Sequence, residues 1–118
     1  MKINSKKLCT ISQNVLSKHK AENIVTIDMK DKSTIADYMI VCSGTSSRHV
    51  IALSNYLRAE FKKEHLNTLS TEGKKAGDWV LVDAGDVIIH LFRNEVREYY
   101  NLEKMWDYEI NENILLKN

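Results

Sequence analysis

The sequence contains no proline, only four glycines and two cysteines in 118 residues. Linkers rich in glycine or proline are therefore missing, and we find no internal repeat and no low-complexity tract. No stretch approaches the roughly 18 consecutive apolar residues that a membrane helix needs, and the first residues lack the apolar core of a signal peptide. We expect one soluble domain in the cytoplasm, with no membrane partner.

The two cysteines, Cys9 and Cys42, lie among aliphatic residues. The sequence has no CxxC pair and no cysteine and histidine spacing suited to zinc. A chain of this length can also bury enough surface to fold without metal or disulfide support. We therefore predict two free, buried thiols, no metal site and no cofactor.

The chain has no excess of charge of one sign, because it contains 17 lysines and arginines and 16 aspartates and glutamates. Proteins that hold nucleic acid through its phosphates usually need a basic patch, and this composition does not indicate one. The balance disfavours a dominant electrostatic grip on RNA or DNA.

The periodicity of the apolar residues predicts three helices and about five strands. Helices are expected over 5–19 with Asn4 or Ser5 as the cap and from Ser46 or Ser47 to about 66. One helix or two short ones are expected from a capping Asn94 to about 105. Strands are expected over residues 24–29, 38–42, 68–71, 79–83 and 86–93. The unbroken apolar run at 38–42 is typical of a central strand covered on both faces. The order predicts an α/β sandwich of two or three layers on a mixed sheet of four or five strands.

Two strand-like segments near the C-terminus are separated only by Ala84 and Gly85, which predicts a β-hairpin with a two-residue turn. The flanking Asp83 and Asp86 are interpreted as turn residues, because aspartate side chains hydrogen-bond the backbone there. If these two aspartates pair, the register of the whole hairpin is fixed.

In this register Trp79 lies opposite His90 and Leu81 lies opposite Ile88 on one face of the hairpin. The other face carries only aliphatic residues and must be core. The mixed face is predicted either to be covered by a helix or to form a contact surface.

The loop 44–47 precedes a predicted helix, where backbone amides can bind a phosphate. It has neither a P-loop lysine nor a GxGxxG motif, and helix capping explains Ser46 and Ser47. The next two residues, Arg48 and His49, are candidates for a surface contact or for orienting the loop. The four histidines show no metal-ligand spacing.

Aromatic residues are concentrated in the last third of the chain: Trp79, Tyr99, Tyr100 and Trp106. Core packing is the default for any one of them, but tryptophan and tyrosine are also enriched in interface hot spots. If several share the mixed hairpin face and the following helix, they form an apolar patch that marks a partner-binding site. The charged residues expected around it are Asp78, Arg97, Glu98 and Glu103.

Two segments resemble a known family: DYMIVCSGTSSRHV at 37–50 and EGKKAGDWVLVDAGDVIIHLFRNEVREYYNLEKMW at 72–106. They are similar to the ribosomal silencing factors, also called Iojap-like proteins, and the similarity covers about residues 5–107. The resemblance implies an α/β domain of nucleotidyltransferase-like topology and no catalysis. We expect this domain over 1–107 and a polar tail over 108–118.

The resemblance also implies a function. Members of the family bind the large ribosomal subunit through its fourteenth ribosomal protein and block joining with the small subunit when nutrients are short. Contact with ribosomal RNA is expected to be incidental.

For this chain we expect Trp79 and Leu81 to anchor the contact, while Asp78 and Glu103 meet basic groups of the partner. The full set of expected partner-binding residues is Asp78, Trp79, Leu81, Tyr99, Leu102, Glu103 and Trp106. Weaker candidates are Arg48, His49 and His90.

Two alternatives stay open. One is a homodimeric protein of nucleotidyltransferase fold that acts on a nucleotide, but the chain lacks the DxD metal ligands of active enzymes. The only similar spacing, Asp107 and Glu109, lies in the tail, where no rigid strand would aim both carboxylates at one magnesium ion. The other is a homodimer of the free protein that uses the same apolar patch.

Overall fold

The computed structural model describes residues 4–66, 68 and 70–100, with side chains described as far as Arg97. The elements in these residues are α1 (Ser5–Lys18), β1 (Glu22–Asp28), β2 (Tyr38–Gly44), α2 (Ser47–Lys63), β3 (Ser70–Glu72), β4 (Trp79–Asp83), β5 (Val87–Arg93) and α3 (Asn94–Tyr100). The predicted α/β class is confirmed. Residues 101–118, which include the predicted tail, lie outside the described residues.

The five strands form one mixed sheet in the order β1-β2-β5-β4-β3. β2 pairs with β5 in parallel, whereas the pairs β1–β2, β4–β5 and β3–β4 are antiparallel. β2 is an interior strand, as its apolar run predicts, although β5 occupies the middle of the sheet. The hairpin supplies antiparallel pairing next to the parallel pair.

Both long helices begin at the predicted caps. The Asn4 carboxamide oxygen accepts a hydrogen bond from the Lys7 backbone N–H at 2.8 Å, and the Ser46 hydroxyl accepts one from the His49 N–H at 3.1 Å. Each bond satisfies one of the backbone donors that a helix leaves unpaired in its first turn.

The second helix ends three residues earlier than the pattern predicts, at Lys63 rather than at about residue 66. His65 takes a left-handed conformation with φ of 64°, and the Leu66 N–H donates to the Phe61 carbonyl at 2.7 Å. This arrangement closes the helix as a Schellman motif does. The predicted end is therefore wrong because a histidine occupies the position that glycine usually takes.

The interior strand β2 is buried on both faces of the sheet. On one face the apolar sides of α1 and α2 pack on Ile40, Val82, Ile89 and other aliphatic side chains of the strands. On the other face a smaller cluster, joined by Val96 of α3, contains Met29, Met39, Val41 and Phe92. The prediction that β2 is covered on both faces is confirmed.

The two cysteines are free and buried, as predicted. Burial raises the pKa of the Cys42 thiol to about 12, so this thiol stays protonated at neutral pH. Burial likewise raises the pKa of Cys9. Both side chains act as small apolar groups of the core.

The hairpin turn differs from the predicted one by a residue. Ala84 pairs with Val87, its N–H donating to the Val87 carbonyl at 3.0 Å, so the turn consists of Gly85 and Asp86. Gly85 adopts a φ of 88°, which hairpin turns require at their first central position and which glycine adopts without strain. The Asp83 carboxylate accepts the Gly85 N–H at 2.9 Å, which confirms a turn role for this aspartate.

This correction changes the cross-strand partners but not the faces. Trp79 lies opposite Phe92, and Leu81 lies opposite His90. The predicted pairs are wrong by two residues. Because side chains alternate with a period of two, a shift of two leaves every residue on its predicted face.

The loop before β4 requires glycine at position 73, where φ is 90°. A Cβ atom there would lie 2.1 Å from the Trp79 carbonyl oxygen, inside any van der Waals contact. We expect Gly73→Ala to lower the free energy of unfolding by about 3 kcal/mol, because the loop must move away from β4. Urea titration measures this loss. The control Lys75→Ala, on an exposed side chain of the same loop, should stay within about 0.5 kcal/mol of the wild type; equal stability of both variants would contradict the account.

Candidate functional site

Five side chains of β4 and β5 point away from α1 and α2 and form a surface that we call the hairpin face: Trp79, Leu81, Ile88, His90 and Phe92. Trp79 is 36% exposed, Leu81 and Ile88 are half-buried, and His90 and Phe92 are buried. The sequence therefore predicted correctly that a mixed face exists. The structure shows that its exposure increases from Phe92 towards Trp79.

The Trp79 ring is held in place by two residues of the neighbouring strand. Its indole N–H donates a hydrogen bond to His90 Nδ1 at 3.1 Å. The ring also stacks on Phe92, with 4.9 Å between centroids and 25° between planes. A large aromatic ring fixed before binding loses little conformational entropy when a partner covers it.

His90 is the acceptor in this arrangement, which requires that its Nδ1 carry no proton. Burial lowers the pKa of His90 to about 4, so the ring is neutral at pH 7. With Nδ1 accepting, the remaining proton lies on Nε2. The sequence analysis expects His90 to be a weaker candidate for partner contact. In the structure its hydrogen bond orients the Trp79 ring.

Asp78, directly before β4, is joined to the end of β5. Its carboxylate pairs with Arg93 Nε at 2.9 Å, and its carbonyl oxygen accepts the Arg93 N–H at 2.9 Å. Arg93 Nη1 also reaches Glu95 at 2.8 Å. Because 49% of the Asp78 side chain remains exposed, a cation of a partner can still approach it. Its predicted role as a contact stays a prediction.

Arg97 was expected at the rim of an exposed patch, and that expectation is wrong. The side chain is buried, and Nη1 donates hydrogen bonds to the Asn23 carbonyl and, at 3.0 Å, to the Ser43 hydroxyl. A buried guanidinium needs such acceptors. Arg97 therefore fastens α3 to β1 and β2. No local sequence pattern indicates this role, because the two acceptors lie 74 and 54 residues away from Arg97 in the sequence.

Asn94 was expected to cap the last helix. It is instead the first residue of α3, and its side-chain amide donates to Glu22 Oε1 at 3.0 Å. The chain enters α3 directly from β5, so the helix starts beside the pair formed by Trp79 and Phe92.

Four expected contact residues follow in or after α3. Tyr99 belongs to α3, but its side chain is not among those described, and Leu102, Glu103 and Trp106 lie outside the described residues. Their participation in the hairpin face stays a prediction.

Arg48 and His49 are not brought to the hairpin face. They belong to the first turn of α2, which packs on the opposite face of the sheet. His49 Nδ1 accepts the Thr45 N–H at 3.0 Å, and His49 Nε2 lies 2.9 Å from the His19 carbonyl oxygen. These bonds let His49 orient the loop, one of the two roles expected for it, whereas contact of Arg48 and His49 with a partner stays a prediction; Arg48 is exposed at the helix start.

The same bonds bear on the candidate phosphate loop. The amide of Thr45 is taken by His49 Nδ1 and the amide of His49 by the Ser46 hydroxyl, so these two donors already have partners. Within the described ranges, no group of three or more His, Cys, Asp or Glu side chains is placed to hold a metal ion. In the same ranges no helix is long and apolar enough to cross a membrane.

Comparison with known proteins gives a consistent family. A family model described as ribosomal silencing factor during starvation matches residues 2–117. A ribosomal silencing factor RsfS from Zymomonas mobilis is 50% identical over 93 residues, which cover 79% of this chain and 70% of that protein. A mouse protein named mitochondrial assembly of ribosomal large subunit protein 1 is 40% identical over 98 residues, covering 79% of this chain and 42% of the mouse chain.

A crystal structure of a protein from Chromobacterium violaceum superposes with a TM-score of 0.85 at 32% identity, covering 89% of this chain and 88% of that one. The fold and the sequence similarity therefore point to the same group of proteins.

The lowered pKa of His90 predicts a pH-dependent stability. Between about pH 6.5 and pH 4 the unfolded chain binds a proton at His90 that the folded chain does not bind, so stability falls as the pH falls. The loss should approach about 3 kcal/mol near pH 4. In His90→Gln the side-chain oxygen can still accept the indole N–H, but this position no longer titrates. Urea titrations from pH 7 to pH 4.5 should show a smaller loss in the variant; identical losses would contradict the prediction.

Proposed function

Since the chain belongs to the ribosomal silencing factor family, we propose that it binds the large ribosomal subunit through the fourteenth ribosomal protein and blocks joining with the small subunit. The resemblance of residues 37–50 and 72–106 implies this partner. The name of the mouse relative, which refers to the large ribosomal subunit, supports the choice of subunit. The proposed place of action is the cytoplasm, and the proposed occasion is starvation, which the family description names.

The observation that carries the proposal is the fixed, partly exposed Trp79 ring on the hairpin face. An exposed tryptophan that its own chain already orients is the kind of residue that dominates binding energy at interfaces. The half-buried Leu81 and Ile88 extend the apolar area along the same strands. The half-exposed Asp78 adds a negative group at the edge, which suits a partner that presents lysine or arginine.

The proposed action requires binding alone and no catalysed reaction. A folded domain that occupies the joining face of one subunit excludes the other by volume, and its effect depends only on affinity and concentration. Relatives carry the name of silencing factors, which denotes regulation. The alternative function, action on a nucleotide, gains no specific support from the loop 44–47. The backbone N–H groups of Thr45 and His49 already donate hydrogen bonds to side chains of this chain.

The test replaces the anchors one at a time. We expect Trp79→Ala to weaken binding at least about tenfold and Leu81→Ala severalfold, because central apolar anchors carry most of the energy of an interface. Binding is measured with isolated large subunits and, separately, with the purified fourteenth ribosomal protein.

The matched control is Ile35→Ala, which removes an aliphatic side chain that is 61% exposed in the connection between β1 and β2. It should bind as the wild type does. Circular dichroism verifies that each variant is folded. If folded Trp79→Ala and Leu81→Ala bind as tightly as the wild type, the docking surface is misplaced.

We further propose that the free chain forms a two-fold dimer through the hairpin face, which would shield Trp79 until the ribosomal partner displaces the second copy. Light scattering should give a dimer mass for the wild type and a monomer for Trp79→Ala. Addition of the fourteenth ribosomal protein should convert the dimer into a one-to-one complex. A dimer that keeps both copies while it binds the partner would contradict a shared surface.

A further inference from the structure

Within the described residues, basic side chains are concentrated on the side of the sheet that α1 and α2 cover. Along α1, the turn after it and α2 with its C-cap, eight exposed basic side chains accompany two half-buried acidic side chains, Glu60 and Glu64. The basic residues are Lys6, Lys7, Lys18, Lys20, Arg48, Arg58, Lys62 and Lys63. We call the outer surface of these elements the helical layer. Among the residues that the structure describes, most other acidic side chains belong to the strands and the remaining connections, so the net charge of +1 does not describe this side of the sheet.

The basic side chains of the helical layer are available to a partner. Within the part of the chain that the structure describes, both ion pairs are made by Arg93, with Asp78 and Glu95. None of the eight basic residues takes part in them. Such a surface attracts anions and raises their local concentration.

Two shallow grooves lie on either side of α2. One, of about 490 Å³, is lined by residues that include the basic Lys18 and Lys20, the rings of His19 and Tyr56, and one acidic residue, Glu22. In it the His19 ring stacks on the Tyr56 ring with 3.6 Å between centroids and 8° between planes, and Tyr56 is 44% exposed. An exposed, supported aromatic ring between basic residues is the pattern that proteins use to stack an unpaired base.

The other groove, of about 450 Å³, has a basic and polar lining that includes Asn55, Arg58, Lys62 and Thr68. It offers hydrogen-bond donors and positive charge. The two grooves together extend a basic surface across the outer side of α2.

We propose that the helical layer is an RNA-contacting surface, in which Lys18, Lys20, Arg58 and Lys62 neutralise phosphates and Tyr56 stacks on a base. This adds RNA as a second partner and goes beyond the proposed docking on a ribosomal protein, whichever face that protein occupies. A membrane surface fits less well, because Tyr56 is the only exposed large apolar side chain that the described residues place on this layer.

The test compares two double variants with the same change in net charge. Lys20→Glu/Arg58→Glu alters one residue in each groove, whereas Lys30→Glu/Lys32→Glu alters two exposed lysines in the turn after β1. The probe is a fluorescent single-stranded RNA of about 20 nucleotides, whose anisotropy is followed between about 50 and 200 mM salt. The first variant should bind at least about tenfold more weakly, with a salt slope reduced by about 1.4, the value for two lost phosphate contacts on a single strand.

The control double variant should stay within about twofold of the wild type. Tyr56→Ala should weaken binding about fivefold or more and leave the salt slope unchanged, because stacking releases no counterions. Equal weakening by the two double variants, or no binding by the wild type, would overturn the proposal. Displacement of the RNA by poly-glutamate at an equal concentration of charge would assign the surface to an acidic protein and also overturn it.

Binding to the purified fourteenth ribosomal protein separates this inference from the proposed docking. Lys20→Glu/Arg58→Glu should bind that protein as the wild type does, and Trp79→Ala should bind RNA as the wild type does. If only the RNA results hold, the docking proposal fails and the RNA surface stands; if only the protein results hold, the reverse is true.

Discussion

β5 pairs with β2 on one side and with β4 on the other, so its alternating side chains divide the molecule into two halves. Val87, Ile89 and Leu91 join the core beneath α1 and α2, and removing any of them from water contributes to the main hydrophobic term. The intervening residues, among them His90 and Phe92, support Trp79. The same strand thus holds the fold together and sets the orientation of the candidate contact residue.

The sequence predicts what depends on local patterns. The caps at Asn4 and Ser46 follow from side-chain oxygens placed before apolar periodicity, and the division of the hairpin into an aliphatic and a mixed face follows from alternation alone. The turn position was missed because both Ala84–Gly85 and Gly85–Asp86 give two-residue loops, and only the positive φ of Gly85 at the first position distinguishes them.

The candidate site was harder to predict because its contacts join distant parts of the chain. The buried Arg97 donates hydrogen bonds to Asn23 and Ser43, which lie 74 and 54 residues away in the sequence. No local sequence pattern predicts such a distant partner. The lowered pKa of His90 likewise arises from burial, which composition does not reveal. The near-zero net charge led to the expectation that RNA contact is incidental. The concentration of basic side chains on the helical layer is the physical reason for proposing a larger role.

The account gives the two sides of the sheet different tasks: a partly apolar hairpin face for a ribosomal protein and a basic helical layer for RNA. An electron cryo-microscopy map of the chain bound to the large subunit would test this division most directly. The account predicts Trp79 and Leu81 against the fourteenth ribosomal protein, with the bound domain overlapping the volume that the small subunit occupies on joining. A map in which the hairpin face is turned to solvent and α1 and α2 contact that protein would contradict it.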